Sequence, residues 1–207
     1  MRRKLKDYPE ISLRTDDLTA PVDFARLFAS PGPVHVEIGC GKGSFLVNQA
    51  KADPGLSFLG IEWSNKYYRH TVDRLGRHGL QNVRIVRADA AEFIRKFIPD
   101  ASVTCFHIYF PDPWPKRRHH KRRLFCPSSV AQMLRCLKPA GIVQFATDYA
   151  EYFQAVIELM AGFADELAPT DFVRPAGTRD GEWTGTNFER KYLRQGKQIF
   201  AGAWKKL

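Results

Sequence analysis

The feature that most constrains this chain is an alternation. Short apolar runs, each leading to an acidic residue, are separated by segments with helical spacing. The runs are Val34–Ile38, Ser57–Ile61, Val83–Val86, Val103–Phe110 and Ile142–Ala146. They are too short for helices and nearly continuous in apolar character, which is how strands buried on both faces read. Ser44–Ala52, Ser64–His78, Ala90–Phe97 and Pro127–Leu137 are predicted helices between them, and Tyr149–Phe163 follows the last. An earlier helix is predicted over Leu18–Phe28, capped by Asp16 or Asp17 and ended by Ser30–Pro33. Strands that alternate with helices imply a parallel, doubly wound sheet. Two further strands are expected in the tail, Asp171–Arg174 and Gln198–Trp204.

The 207 residues suit one domain, 1–207, with an N-terminal extension over 1–33 and the α/β fold over 34–207. A formal charge of +10 points to a polyanionic partner, above all a nucleic acid. The opening MRRKLKDYPE has no apolar stretch behind its basic residues, and no run approaches membrane-spanning length. Cys40, Cys105, Cys126 and Cys136 form no CxxC pair, so free thiols are expected and no metal site. The expectation is a soluble, cytoplasmic protein, a monomer or homodimer, with no membrane association.

In open α/β sheets a ligand lies beyond the carboxyl ends of the strands. Acids stand at those ends here: Glu37, Glu62, Asp89, Asp112 and Asp148. Glu37–Gly43 reads E-x-G-x-G-x-G, which is neither a phosphate-binding GxxxxGK[ST] loop nor the dinucleotide GxGxxG. An acid two residues before Gly39 would repel a pyrophosphate, but it suits a cationic ligand without phosphates. S-adenosylmethionine, with its ammonium, sulfonium and ribose, is such a ligand. Gly39, Gly41 and Gly43 let the backbone approach it. Glu62, 19 residues beyond Gly43, is placed to accept from ribose hydroxyls, and Asp89 is placed near the adenine amino group.

Phe110–Arg123, FPDPWPKRRHHKRR, sets Asp112 in a proline-locked loop and follows it with six Lys or Arg among eight residues. Pro113 and Pro115 push Asp112 and Trp114 towards extended geometry. A stiff loop with a carboxylate, an aromatic and a basic run suits a site that grips a polyanion and works beside it.

EIGCGKG, GIEWSNK, RADA, FPDPWPKRRHHKRR, ATDYAEY and TNFERKY together resemble the bacterial tRNA (guanine-N7-)-methyltransferase family, from about Val34 to the C-terminus. The resemblance implies a Rossmann-like class I S-adenosylmethionine-dependent methyltransferase fold. Its seven-stranded sheet is mostly parallel, with an antiparallel last strand, here Gln198–Trp204. It implies methylation of N7 of a guanine in the tRNA variable loop, conventionally position 46. Glu37, Glu62, Asp89 and Asp112 would then contact the donor, with Asp112 also catalytic. Lys116, Asp148 and Thr186, Asn187, Phe188 and Glu189 would contact the tRNA or its target base. Asn187 stands where the family often has Lys. The basic run Arg117, Arg118, Lys121, Arg122 and Arg123 is expected to hold phosphates.

Guanine N7 carries an in-plane lone pair and no proton, so transfer needs placement and stabilisation of positive charge rather than a base. Asp112 does this if it accepts the N1 and N2 hydrogens, which become stronger donors as N7 is alkylated. Phe110 and Trp114 stack the purine, or Phe110 packs in the core. Asp148 contacts the base or caps the helix at Tyr149. Two other functions fit less of the chain. Amino-methyltransferases of RNA or DNA carry D/N-P-P-Y/F at this strand end, where Trp114 replaces the second proline. A non-catalytic RNA-binding protein would not need an acid at every strand end.

Overall fold

The computed structural model describes residues 4–30 and 32–207. Met1–Arg3, with two of the N-terminal basic residues, and Pro31, within the expected Ser30–Pro33 stop, lie outside the described residues. The chain divides into two compact units, Met1–Pro99 and Asp100–Leu207.

The first unit holds strands β1 (Ser12–Leu13), β2 (Val34–Ile38), β3 (Ser57–Glu62) and β4 (Val83–Arg87) in the order β1-β4-β3-β2. All pairs are parallel, with Val36 opposite Leu59 and Leu59 opposite Arg84. Its helices are α1 (Phe24–Leu27), α2 (Ser44–Ala52), α3 (Asn65–Arg77) and α4 (Ala90–Phe97). Every residue of β3 is buried, as a strand covered on both faces requires. Val36, Leu46, Leu59, Leu75 and Ile85 have essentially no exposed surface and form the centre of this core.

The helix expected over Leu18–Phe28 is only the four residues of α1, and Asp23, not Asp16 or Asp17, caps it. Asp23 Oδ1 accepts from the backbone N–H of Ala25 and Arg26, whereas Asp16 and Asp17 sit in a short 3-10 turn, Thr15–Asp17. Pro21 explains the difference, because it disfavours helical geometry at the residue before it and lacks a donor. The freed chain is tied elsewhere, Val22 N–H donating to the Phe97 carbonyl. The two-residue β1 has no periodicity to betray it. The segment before it lies along α3. Lys6 N–H donates to the buried Asp73 carboxylate, and the Tyr8 ring covers Gly76 so closely that a β-carbon there would fall 2.1 Å from it.

The second unit holds β5 (Val103–Tyr109), β6 (Leu137–Thr147), β7 (Leu167–Thr170) and β8 (Phe200–Lys206) in the order β5-β6-β8-β7. β5 and β6 are parallel, and β8 runs antiparallel to both β6 and β7. An antiparallel last strand is what the family resemblance implies. Its helices are α5 (Pro127–Cys136), α6 (Ala150–Ala161) and α7 (Asn187–Arg194). Phe125, Phe145 and Tyr152 form an aromatic core, with Phe125 and Phe145 edge to face at 4.8 Å.

Three expectations fail in this unit. Pro139–Gly141 does not separate helix from strand. β6 begins at Leu137 and absorbs those residues as an irregularity opposite Val103–Cys105, with Ala140 at φ 61°. Asp171–Arg174 is not a strand. The ladder with β8 stops at Thr170, and Val173 N–H donates to the Gln144 side chain instead. Trp114 is not extended but left-handed, at φ 43°. All four cysteines are free thiols, three of them buried.

Asp73 is 1% exposed and accepts from Lys6 N–H and from Arg77 Nε, both at 3.1 Å. Asp73→Ala is therefore expected to lower stability by about 1–3 kcal/mol, since buried donors lose their acceptor. Chemical denaturation measures this, and an unchanged midpoint would show that the N-terminal segment contributes nothing there.

Candidate active site

The first unit carries residues expected at the methyl donor. The backbone turns from β2 into α2 through Gly39, Gly41 and Gly43, at φ 76°, 53° and 67°. These left-handed angles are strained for any residue with a β-carbon. A β-carbon on Gly43 would also meet Thr71 Cγ2 at 2.6 Å, while one on Gly39 would meet nothing within 4 Å. The turn is thus packed on one side and open on the other. Glu62 fastens it. One carboxylate oxygen accepts from Gly41 N–H and the other from Ser64 N–H, each at 2.8 Å.

Glu37 differs in kind. It is 4% exposed, and its Oε2 has no hydrogen-bond partner. Burial, reinforced by Glu62, holds its carboxyl well above the usual carboxylate range. A buried acceptor without a donor is costly unless something completes it. A ligand bringing cationic or hydroxyl donors fits, as does the open side of the glycine turn. Asp89 is exposed, and its Oδ1 caps α4 through Glu92 N–H at 2.9 Å. Trp63 is 69% exposed beside Glu62.

The second unit carries the proline loop. Phe110 and Trp114, flanking exposed Asp112, both have positive φ, at 55° and 43°. Such strain persists only where surroundings over-determine it. Phe110 N–H donates to the Ala146 carbonyl, and its ring lies 5.6 Å from Tyr192. Arg122 stacks over Trp114 at 4.9 Å, and His119 meets the same ring edge-on at 5.7 Å. Arg123 Nε donates to the Pro113 carbonyl at 2.8 Å, and its guanidinium lies over Tyr152 at 4.7 Å.

The expected basic run therefore divides. It forms a 3-10 turn, Arg117–Arg122, with Lys116 at its start. Lys116, Arg117, Arg118 and Lys121 are exposed, whereas the Arg123 side chain is only 7% exposed and holds the loop. Asp148 does not cap α6. Thr147 Oγ1 accepts from Tyr149 N–H, while Asp148 pairs with Lys197. Lys197 also lies 4.4 Å over the Tyr192 ring. Burial, then Asp148, pushes the Tyr192 phenol up; Lys197 opposes them and Asp112 adds to them.

The four residues Thr186–Glu189 do not act alike. Thr186 caps α7, accepting from Glu189 N–H at 3.2 Å. Glu189 is fully buried, and its oxygens accept from the N–H groups of Trp183, Thr184 and Gly185 and from the Thr184 hydroxyl. Its carboxylate fastens a turn. Phe188 is 39% exposed and stacked on Tyr192, and Asn187 is exposed. Arg190 braces the same turn, gripping Glu182 through two bonds of 2.8 and 3.1 Å. Lys197 and Tyr192 escaped the sequence reading. Tyr192 closes the TNFERKY motif, but nothing in the spacing marks Lys197.

Comparison with known proteins bears on the fold and the family. A solved 16S rRNA methyltransferase, KamB, superposes with a TM-score of 0.65 at 15% identity, over 88% of this chain and 92% of that one. A family model described as "Putative methyltransferase" matches residues 31–201. Fold and family match together define an S-adenosylmethionine-dependent methyltransferase. A tRNA (guanine-N(7)-)-methyltransferase of Alkalilimnicola ehrlichii is 38% identical over 193 residues, covering 93% of this chain and 81% of the relative. One from Geobacter metallireducens is 36% identical over 206 residues, covering 97% and 94%. The chain belongs to the tRNA (guanine-N7-)-methyltransferase family.

Glu37 gives a paired expectation. A carboxyl with a raised folded pKa binds its proton more tightly folded than unfolded. Its stability contribution is therefore present below its ordinary value of 4.5 and is lost as pH rises through the folded value. Glu37→Gln should raise the melting temperature of the ligand-free protein near neutral pH. It should also weaken S-adenosylmethionine binding by about 10-fold or more, a charged hydrogen bond being worth about 1.5–3 kcal/mol. Calorimetry and thermal melts read both. Unchanged donor affinity would remove Glu37 from the site.

Proposed function

We propose that this protein transfers a methyl group to N7 of a guanine in the variable loop of tRNA, at position 46, giving 7-methylguanosine. The observation that carries the reading is the identity to relatives of that name over nearly the whole chain. No helix among the described residues is long and apolar enough to cross a membrane. The exposed cations Lys116, Arg117, Arg118 and Lys121 offer a surface for an RNA backbone.

S-adenosylmethionine, when bound, supplies an electrophilic methyl group on sulfonium. In the first unit, Glu37 accepts from its donor groups and Glu62 keeps the glycine turn in shape. The acceptor needs no deprotonation, because N7 already presents its lone pair. The requirement is negative charge near a purine that becomes cationic, and Asp112 and Asp148 supply it. The loop around Asp112 is held before substrate arrives, which limits the reorganisation left to the transition state.

The test is to incubate bulk tRNA with labelled donor and map the product with nucleases; label away from guanine N7 would overturn the reading. Single-turnover transfer with both substrates saturating should be flat between about pH 6.5 and 8.5, since no essential base titrates. Asp112→Asn should lower that plateau by about 10²–10³-fold, as for loss of one preorganised electrostatic contact. A unit-slope rise with pH that vanishes in the variant would make Asp112 a proton acceptor instead.

Replacing Arg117, Arg118 and Lys121 by Ala should weaken tRNA binding and lower the slope of log affinity against log salt by up to about 2–3, at roughly 0.7–0.9 for each phosphate no longer neutralised. Filter binding across a salt series measures this, and an unaltered slope would mean that these three cations touch no phosphate.

A further inference from the structure

Lys197 is absorbed neither by the family motifs nor by the mechanism above, yet it sits at the centre of the second unit's site. Its Nζ is bound to Asp148, whose side chain is only 12% exposed, while the lysine side chain stays 45% exposed. The ammonium lies 4.4 Å over the Tyr192 ring, and Tyr192 in turn packs 5.6 Å from Phe110, two residues from Asp112. An ammonium carries three donors in three directions. One goes to Asp148 and one faces the ring, so the geometry leaves a donor directed away from both.

We infer that Lys197 and Asp148 together read the Watson–Crick edge of the target guanine, Lys197 donating to O6 while Asp148 accepts from N1–H and N2–H. Guanine presents there one acceptor followed by two donors. A donor beside an acidic acceptor is the complement of that order. Adenine presents a donor at N6 and an acceptor at N1, which would face the ammonium and the carboxylate with the wrong sign. A site built to hydrogen-bond such groups rejects a base lacking them, because its own polar groups are left unpaired. N7 lies outside this edge and stays open for alkylation.

Charge agrees with the assignment. Asp112, Asp148 and Lys197 sum to one negative charge, which balances the single positive charge that N7 alkylation places on the purine. Without Lys197 the two carboxylates would hold an excess charge and no donor for O6. The Tyr192 ring keeps the ammonium beside Asp148 through its negative face. Hydrogen bonding to Asp148 also raises the Lys197 pKa, which keeps it a cation. Lys197 is thus a specificity residue for the base.

This inference rests on the functional reading above, and its test separates the two. tRNA is assembled with guanine, 6-thioguanine or hypoxanthine at the methylated position, and single-turnover rates are compared. 6-Thioguanine keeps N1–H, N2–H and N7 but replaces O6 by a poor acceptor. Hypoxanthine keeps O6 and lacks only the N2 amino group. Wild-type protein should favour guanine over 6-thioguanine by about 10-fold. Lys197→Met should lose that preference while keeping its preference for guanine over hypoxanthine. Lys197→Arg, which keeps a cationic donor, should restore it.

Two results would overturn the assignment. If Lys197→Met slows guanine and 6-thioguanine equally, the lysine only positions Asp148. If it leaves both rates unchanged but lowers the salt slope of tRNA binding, the lysine holds a phosphate. If wild-type protein methylates no guanine N7 at all, the functional reading fails. Thermal melts of each variant exclude loss of folding as the cause.

Discussion

A carboxylate with both oxygens bound to backbone N–H groups is the fastener on which the candidate residues of each unit depend. Glu62 holds Gly41 and Ser64, which sets the turn leaving β2 against the start of α3. Glu189 holds Trp183, Thr184 and Gly185, which fixes the turn preceding α7. Charge-assisted bonds of this kind are about twice as strong as neutral ones, and each oxygen accepts more than one. Both turns contain a glycine at positive φ, Gly41 and Gly185. Left to itself, a backbone of that kind wanders. Fixed in place, it presents a rigid edge.

The acids of the two units divide by what they lack. Glu62, Asp89 and Glu189 already accept from backbone donors in the protein alone. Glu37 keeps one oxygen buried and unmatched. Asp148 has taken a lysine as partner, and Asp112 stands exposed at the tip of a strained loop. A fastener raises stability in every state of the protein. An unmatched or exposed acid gains its best interactions only with something else bound, and that difference is what catalysis and binding can use.

Much of this was legible in the sequence. Strands β2 to β5 and helices α2 to α5 follow from apolar runs and caps, because burial on both faces leaves continuous apolar stretches. The acids at the strand ends were legible for the same reason. Three things were not. Pro21 shortened the first helix, a local veto that an apolar spacing cannot report. Trp114 adopted a left-handed backbone because Arg122, His119 and Arg123 grip the loop, and those contacts outweigh the preference set by Pro115. The role of Glu189 was hidden by its motif. Thr186-x-x-Glu189 has the form of a capping box, yet the glutamate reaches the turn before the cap rather than the cap itself.

The split basic run has a consequence for how this sequence can drift. As text, Lys116–Arg123 is one block of charge in which any cation should replace another. In the fold, Arg117, Arg118 and Lys121 face solvent, where arginine and lysine are near equivalents for a flexible polyanion. Arg123 is different. Its planar guanidinium donates to a carbonyl from one edge while its face lies on Tyr152, and a point-charge ammonium cannot do both. Tolerance to substitution therefore changes sharply within eight residues of similar appearance. Arg123→Lys, the mildest change on paper, falls where the chain has least freedom to accept it.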